Sequence, residues 1–571
     1  MAQKADVKFI NARYQALKED RQEWMNKWQE TAKLFYPNGF RDSSIVNDSK
    51  RLHNQSPDVL DSTSIHAINT LASGMYGALT SPSRPWFALR PQGFELDKNH
   101  DVKMYIDEVE ERMRVILLNS KFYNTMHETY RQLGTFGTAC VYGVADITGM
   151  RFECLPCGSF VLDVDGNGKI DTVIRSLKMT IRQMQMEFGE ENLPERIRTS
   201  ENIKKSSGTQ QHEIIHAVMP REDVIKNGNF ARININPLER AFVSLYYMPS
   251  EKDENGEPFI LRESGFDIFP YFPVRWDVTA GEVYGISPAM DCLPDTKMVQ
   301  SMNKSALKAT HLSVNPPLVA SAEIKGDGIN LIPGGVTFIS SSYQGGQGIT
   351  SLYQVKPDYQ GMLSFMDKYI NQIERATFVD LFLMFSELDR RQITAKEISA
   401  REQEKLLLIG HVLERLQDEL FNNLIEWIYF NMNKYDMLPE VPESLTGNDV
   451  KVEYTSSMAQ AQKIAGTSTI EQFTAFIANV AGISPNVLDT VDFDKAVNKY
   501  GESLGVDASI MRSDMEVEKI RQQRQQKEQQ AQTQAEMANL AGMAKSLGST
   551  PAGDPNKPNA LDSVIGGMGA M

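Results

Sequence analysis

Cysteine is scarce, at four in 571 residues. That is too few for a disulfide framework in so long a chain and points to a reducing compartment. Long apolar runs are missing too. None approaches the ~20 residues of a membrane span, and the longest candidate, Phe378 to Phe385, is broken by Asp380. The opening residues, MAQKADVKF, lack the apolar core of a signal peptide. Basic residues are in deficit: 59 Lys and Arg face 74 Asp and Glu, a formal net charge of -15. A sequence-specific DNA binder carries a basic face, so the balance argues against that class. It does not argue against a protein that handles DNA without gripping it. The expectation is a chain that is soluble and intracellular at synthesis, with about three or four domains.

What is present is organised around one stretch, Thr394 to Leu438. Leu406, Ile409, Leu413, Leu416, Leu420, Leu424 and Trp427 recur at three- and four-residue steps, while Glu402, Glu414, Asp418 and Glu426 fall largely off that stripe. Thr394 followed by Glu397 fits a capping box, and Pro439 is the predicted stop. At ~1.5 Å per residue the helix would span about 65 Å. Gly410 is the expected place for a bend. A helix of that length is a strut, and the rest of the chain is what it braces.

In chain order, Ile10, Tyr14, Leu17, Trp24, Trp28 and Phe35 predict a helix ending at Pro37-Asn38-Gly39, its stripe interrupted by Arg21 and Thr31. The two tryptophans are expected to pack on the chain's own body. Asp61 is the predicted cap of a second helix carrying Ile65, Ile68, Ala72, Met75 and Leu79, where Gly74 and Gly77 would let another backbone approach. A helical pair over 101–135 shows Val102, Tyr105, Val109, Met113 and Ile116 on one face. Strand-like runs then cover 139–175 and 241–279.

Ser287 and Pro288 open a further helix to about His311, with a kink expected at Pro294. Lys297, Lys304 and Lys308 share one of its faces. A small β-rich module over 315–359 follows. Leu363, Met366, Ile370, Ile373 and Thr377 then mark a helix from about Gly361 to Phe385. The loop Ser386 to Ile393 is near neutral, Glu387 and Asp389 balancing Arg390 and Arg391. Short helices are expected over 465–511, with Phe473, Phe476, Ile477 and Val480 apolar. Residues 516–531 have helical propensity and almost no apolar face. Met537, Leu540, Met543 and Leu547 add a narrow stripe there, and neighbouring copies would account for so isolated a helix. The Gly/Pro-rich tail from Gly548 is expected to be unstructured.

Three motifs imitate chemistry. Asp163-Val-Asp-Gly-Asn-Gly-Lys-Ile-Asp171 matches the first nine positions of a calcium loop, but Ile174 stands where a bidentate Glu should close the shell. Its strand-like flanks make a hairpin turn the better reading. His212-Glu-Ile-Ile-His216 satisfies the zinc-protease pattern, which needs both histidines on one helical face and Glu213 on the metal-bound water; Glu239 would be the third ligand. The Ile-Ile-His-Ala-Val core is strand-like, and a strand holds 212 and 216 too far apart. Cys154-Leu-Pro-Cys157 is a lone CxxC followed by Gly158 and a strand, and reads as a turn with buried thiols.

Several runs, in order, carry a family resemblance. The stretch DSTSIHAINTLASGMYGALTSPSRPWFALR, residues 61–90, resembles the signature of the bacteriophage head-to-tail connector, or portal, family of short-tailed phages. TAKEISAREQE at the start of the strut is similar to that family's recurring run, and Lys451-Val-Glu-Tyr-Thr to Gln462 to its strand after the long helix. The resemblance covers roughly residues 6–510. It implies a mixed α+β, multidomain, portal-type ring subunit: an N-terminal wing over 1–285, a stem helix over 286–312, a clip over 313–359 and a second stem helix over 360–385. A tunnel loop over 386–393, a long wing helix with its following strand over 394–464, a crown over 465–512, a barrel helix over 513–549 and a disordered tail over 550–571 complete the map.

The implied function is a non-enzymatic, cofactor-free ring of about twelve copies at one capsid vertex. It would be the channel for genome packaging and ejection and the docking site for terminase and tail. The resemblance places Ser386, Glu387, Leu388, Asp389, Arg390, Arg391 and Gln392 around the channel. In a ring, Lys297, Lys304 and Lys308 would become stacked positive belts if their face looks inward. The implied partners are double-stranded DNA passing without sequence preference, terminase, scaffolding or capsid protein, a tail adaptor and internal ejection proteins, in the virion and, during assembly, the host cytoplasm. An acidic chain suits sliding, because dense lysine contacts tether phosphates by counterion release. The alternatives are a zinc-dependent hydrolase on His212, Glu213 and His216, and another virion structural adaptor that uses the helices for assembly only.

Overall fold

A computed structural model of the chain describes residues 5–37, 39–40, 59–83, 85–91, 100–198, 210–224, 236–314, 318–320, 349–351, 358–387, 409–442, 450–454, 473–477, 479–480, 482, 491, 493–497 and 514–548. The fold mixes helices with antiparallel sheets. The chain divides into two units, residues 1–97 with 104–465 and residues 98–103 with 466–571.

In the larger unit the Asp6 carboxylate accepts the amides of Lys8 and Phe9, opening α1 (Val7–Asp20). The single helix read from the stripe is two, because α2 (Gln22–Phe35) starts afresh after Arg21. Arg21, which interrupts the stripe, is 2% exposed and donates to the carbonyl of Phe160. Trp28 is fully buried and donates from Nε1 to the Phe136 carbonyl at 2.9 Å, so it serves the chain's own core. Helix α3 (Thr63–Leu79) begins two residues after Asp61, whose carboxylate accepts the Thr63 amide. Gly74 lies against Phe382, where an added Cβ would sit 2.2 Å from the ring, whereas Gly77 faces open space. Neither meets the backbone that was expected: Gly74 makes room for a side-chain ring, and nothing approaches Gly77. Helices α4 (His100–Asn119) and α5 (Phe122–Phe136) follow. Strand β1 (Phe87–Pro91) is preceded by Trp86, which stacks on Phe122.

Strands β2 (Thr138–Asp146) and β3 (Gly149–Leu155) form a hairpin. Strands β4 (Phe160–Val164), β5 (Ile170–Thr180), β6 (Gln211–Pro220), β7 (Phe242–Lys252) and β8 (Pro258–Phe266) make a five-stranded sheet in sequence order. Alternation along these strands supplies two apolar faces. Ile215, Ala217, Leu245 and Tyr247 meet Ile10, Tyr14 and Leu17 of α1. Ile214, Tyr246 and Met248 meet Ile181, Met184 and Phe188 of α6 (Ile181–Phe188), a helix opened by a Thr180–Gln183 capping box. Strand β9 (Tyr271–Arg275) joins β2 on the side away from β3, completing a three-stranded sheet.

Helix α7 (Leu293–Val314) leads to the strand pair β10 (Leu318–Ala320) and β11 (Ile349–Ser351), within the span expected for the clip. Helices α8 (Tyr359–Ala376) and α9 (Val379–Glu387) return. The capping box expected at Thr394 and Glu397 lies outside the described residues, and the long helix is described from Ile409. A π-turn over Leu416–Phe421 interrupts it before α10 (Asn422–Lys434).

That extra residue per turn changes which side is buried. Ile409, Leu413 and Leu416 are buried before it; Phe421, Ile425, Ile428 and Met432 join the buried set after it. The Asn423 side chain donates to the carbonyls of Asp418 at 3.0 Å and Glu419 at 2.8 Å, satisfying acceptors that the wider turn displaces. The π-turn at 416–421 is a distortion that the stripe did not announce; the bend expected at Gly410 rests on residues before Ile409, which lie outside the described residues. The helix ends at Lys434, before Pro439, with Asp436 in the left-handed region at φ 57°. Strand β12 (Val450–Tyr454) pairs antiparallel with β1, so the strand expected after the long helix exists.

In the smaller unit α11 (Asp514–Gly548) is one helix of 35 residues, exposed along 521–542. Arg521 pairs with Asp494 through both guanidinium nitrogens, at 2.7 and 2.8 Å. The tail from residue 549 lies outside the described residues.

Candidate functional site

The residues that the family resemblance sets around a channel fall on the α7–α8 hairpin and the chain just after it. The base of the hairpin is built with little freedom. Ser287 caps a one-turn helix, Pro288–Asp291, by accepting the Met290 amide at 3.0 Å, with Pro288 at the first helical position. The break before α7 falls at Cys292, not at Pro294, which sits harmlessly in the first turn of α7. Gly137 and Gly285 cross so closely that a Cβ on Gly137 would lie 2.2 Å from the Gly285 oxygen. Gln300 of α7 accepts the amides of Leu60 and Asp61 and donates to the Asp61 carbonyl at 2.7 Å. The Thr310 and Tyr359 hydroxyls meet at 3.3 Å across the hairpin.

The expected second helix is also two. Thr377 turns its hydroxyl onto the Ile373 carbonyl at 2.7 Å, and Phe378 adopts φ 57° before α9 begins. A bulky residue in the left-handed region carries strain; the Phe378 ring lies against Trp276, with centroids 5.9 Å apart. Of the expected stripe, Ile373 is buried but Leu363 is 57% exposed.

The basic face is real as a surface. Lys297, Lys304 and Lys308 are all exposed on α7. They are not equivalent, because Lys297 pairs with Glu30 of α2 at 2.5 Å. Ser386 and Glu387 close α9, so the helix runs two residues into the expected loop. Leu388, Asp389, Arg390, Arg391 and Gln392 lie outside the described residues. The hairpin also bears exposed apolar side chains that the sequence reading did not single out: Met298 (45% exposed), Leu307 (53%) and Phe365 (60%). The signal for Phe365 was its position off the apolar stripe of its helix.

The imitated chemistries resolve on geometry. Asp165 accepts the amides of Asn167 and Lys169 within the β4–β5 hairpin, and Asp163 pairs with Arg13. The calcium-like carboxylates are therefore turn and ion-pair residues. His212 and His216 both lie on β6, four residues and so about 13 Å apart. Glu213 accepts the Ser176 hydroxyl at 2.7 Å. The zinc-hydrolase arrangement is thereby overturned. The cysteines are free, and burial raises the Cys140 and Cys157 thiols well above their ordinary value, which leaves little thiolate for redox work.

His216 instead joins the two sheets. Tyr271 of β9 sits 2.7 Å from its Nδ1 and Ser244 of β7 is 3.0 Å from its Nε2, while Tyr246 stacks on the ring at 3.8 Å. Burial, then the charges of Arg175 and Arg262, hold it neutral well below the ordinary histidine value. The unfolded chain takes up that proton below about pH 6.5 and the folded chain does not, so stability should fall as pH drops through that value. His216→Phe should reduce the loss between pH 7.5 and 5, measured by denaturant midpoints, and an unchanged slope would refute the assignment. His216→Ala should leave zinc in the purified protein at background.

The family model for the bacteriophage head to tail connecting protein matches residues 7–511. The "Probable portal protein" of Bordetella phage BPP-1 is 32% identical over 565 residues, covering 99% of both chains. The "Portal protein" of Salmonella phage epsilon15 is 32% identical over 554 residues, covering 96% of this chain and 97% of its own. Matched from its first helix into its C-terminal unit, the chain belongs to the bacteriophage head to tail connecting protein family.

Proposed function

We propose that copies of this chain close into a ring at one capsid vertex, forming the portal through which the phage genome enters during packaging and leaves during ejection. The observation that carries the reading is full-length similarity to two portal proteins, together with a helical hairpin that leaves apolar side chains uncovered in the single chain. A ring with a rotational axis is the closed way to cover such edges with identical copies. The work is mechanical: the chain conducts and holds DNA and catalyses no step.

The finer map follows from the same reading. Helices α7 and α8 form the stem, the β10–β11 module the clip, and the chain from Ser386 to Gln392 the tunnel loop at the narrowest point. The helix starting near Thr394 crosses the wing, residues 465–512 form the crown, and α11 stands in a barrel of its copies. The preferred ring has twelve subunits, and terminase, scaffolding or capsid protein, tail adaptor and ejection proteins dock on it, in the virion and in the host cytoplasm during assembly. Electron microscopy of the purified chain tests the ring.

Lys304 and Lys308 would face the lumen as two belts about 6 Å apart in height, each touching phosphates weakly enough to let DNA slide. Lys297, held by Glu30, stands at the rim of that face. Lys304→Glu with Lys308→Glu should leave ring formation intact and lower packaging severalfold, most at low salt, where phosphate contacts are strongest. Unchanged packaging, or a ring structure with both ammonium groups outside, would remove the lysines from the channel.

A further inference from the structure

The α7–α8 hairpin has four sides, and their chemistry differs. The side of α7 facing away from α8 carries Lys297, Lys304 and Lys308; the side of α8 facing away from α7 carries Lys368 and Arg375, all five exposed. Two copies meeting on like faces would juxtapose cations, which is unfavourable. The remaining sides are the two edges. At ~100° per residue, and with the helices antiparallel, Leu307 and Leu363 fall on one edge and Phe365 with Met298 on the other. Leu307, Leu363 and Phe365 are 53%, 57% and 60% exposed.

Their heights agree. Measured from the rung where Thr310 meets Tyr359, Leu307, Leu363 and Phe365 lie about 4.5, 6 and 9 Å along the hairpin, within one helical turn. We propose that Phe365 of one copy seats between Leu307 and Leu363 of the next, and that this repeated head-to-tail contact joins the stem around the ring. The proposal rests on the ring reading and adds the residues, the edge and the polarity of the contact. Because the two halves lie on opposite edges of one hairpin, a copy cannot satisfy its own contact, and a two-fold pair is not required to close it. An aromatic anchor in an apolar pocket is the kind of side chain on which an interface concentrates its affinity.

The test is the full-length chain carrying Leu307→Cys and Phe365→Cys together, oxidised and run without reductant, beside electron micrographs of the same sample. A ladder extending past dimer, absent from the parent and from either single variant, is expected. Rings without a ladder would overturn the contact and leave the ring standing. A product that stops at dimer would overturn it in favour of two-fold pairing, and a parent that forms no rings would overturn both readings. Because the cysteines also trim the contact, a second pair of variants is read by assembly alone. Phe365→Leu should assemble like the parent, and Phe365→Asp should weaken association at each contact by about thirtyfold. Equal assembly of the two would overturn the proposal.

Discussion

Particles whose portal carries a short Gly-Ser linker in place of Glu387 to Arg391 should contain rings of parental size, yet fail to complete packaging or to hold their DNA. Assembly should survive because the contact assigned to it lies on the stem, away from this segment. Channel function should not, because in the proposed ring the segment joins two helices set around the channel, and it carries Glu387 and Asp389 against Arg390 and Arg391. On that proposal, near neutrality at the constriction would neither grip phosphate nor repel it strongly, and removing bulk there would widen the narrowest point. The expected effect is near-complete loss of infectivity with normal ring yield. Filled, stable and infectious particles would show that the constriction lies elsewhere.

The largest loss of stability is expected from Glu419→Ala. In the π-turn, Glu419 accepts the Arg275 amide at 2.9 Å, its Nε at 3.0 Å and its Nη2 at 2.6 Å. Arg275 also donates to the carbonyls of Val283 at 3.4 Å and Gly168 at 3.3 Å, and its side chain is 8% exposed. Removing the carboxylate strands a buried cation, which costs about 3–5 kcal/mol. Replacing both partners, as in Arg275→Met with Glu419→Leu, should cost much less, because no charge is left unpaired. Chemical denaturation of the two variants checks this. A single variant as stable as the double would mean that the pair does not hold the long helix to the sheet.

This pair also shows where the sequence was legible. From Ile409 to Lys434 the long helix was readable from its apolar stripe, because helical burial writes itself at steps of three and four. Its π-turn was not, since one inserted residue leaves each half of the stripe locally regular; the second stripe of Phe421, Ile425, Ile428 and Met432 was the available trace. The hairpin at 163–171 and the strand through His216 were readable because β-branched flanks and Gly turns constrain the backbone locally. Arg21 and Phe378 were misjudged for a common reason. Each breaks a helix through distant partners, the Phe160 carbonyl and Trp276, that no local pattern contains.

The site divides in the same way. Lys297, Lys304 and Lys308 could be placed on one face from spacing alone, while the Lys297–Glu30 pair needed the tertiary fold. Phe365 was invisible as an edge residue because a search for buried stripes discards what falls off them.

Copies of this chain are expected to close into a ring with a hole. Full-length protein, purified at micromolar concentration and imaged by electron microscopy with native mass measured on the same sample, tests it most directly. Closed rings of a single dominant copy number, preferably twelve, each with an axial opening wide enough for a DNA duplex, are the expected result. A monodisperse monomer with folded circular dichroism, or compact assemblies without an axial opening, would contradict it.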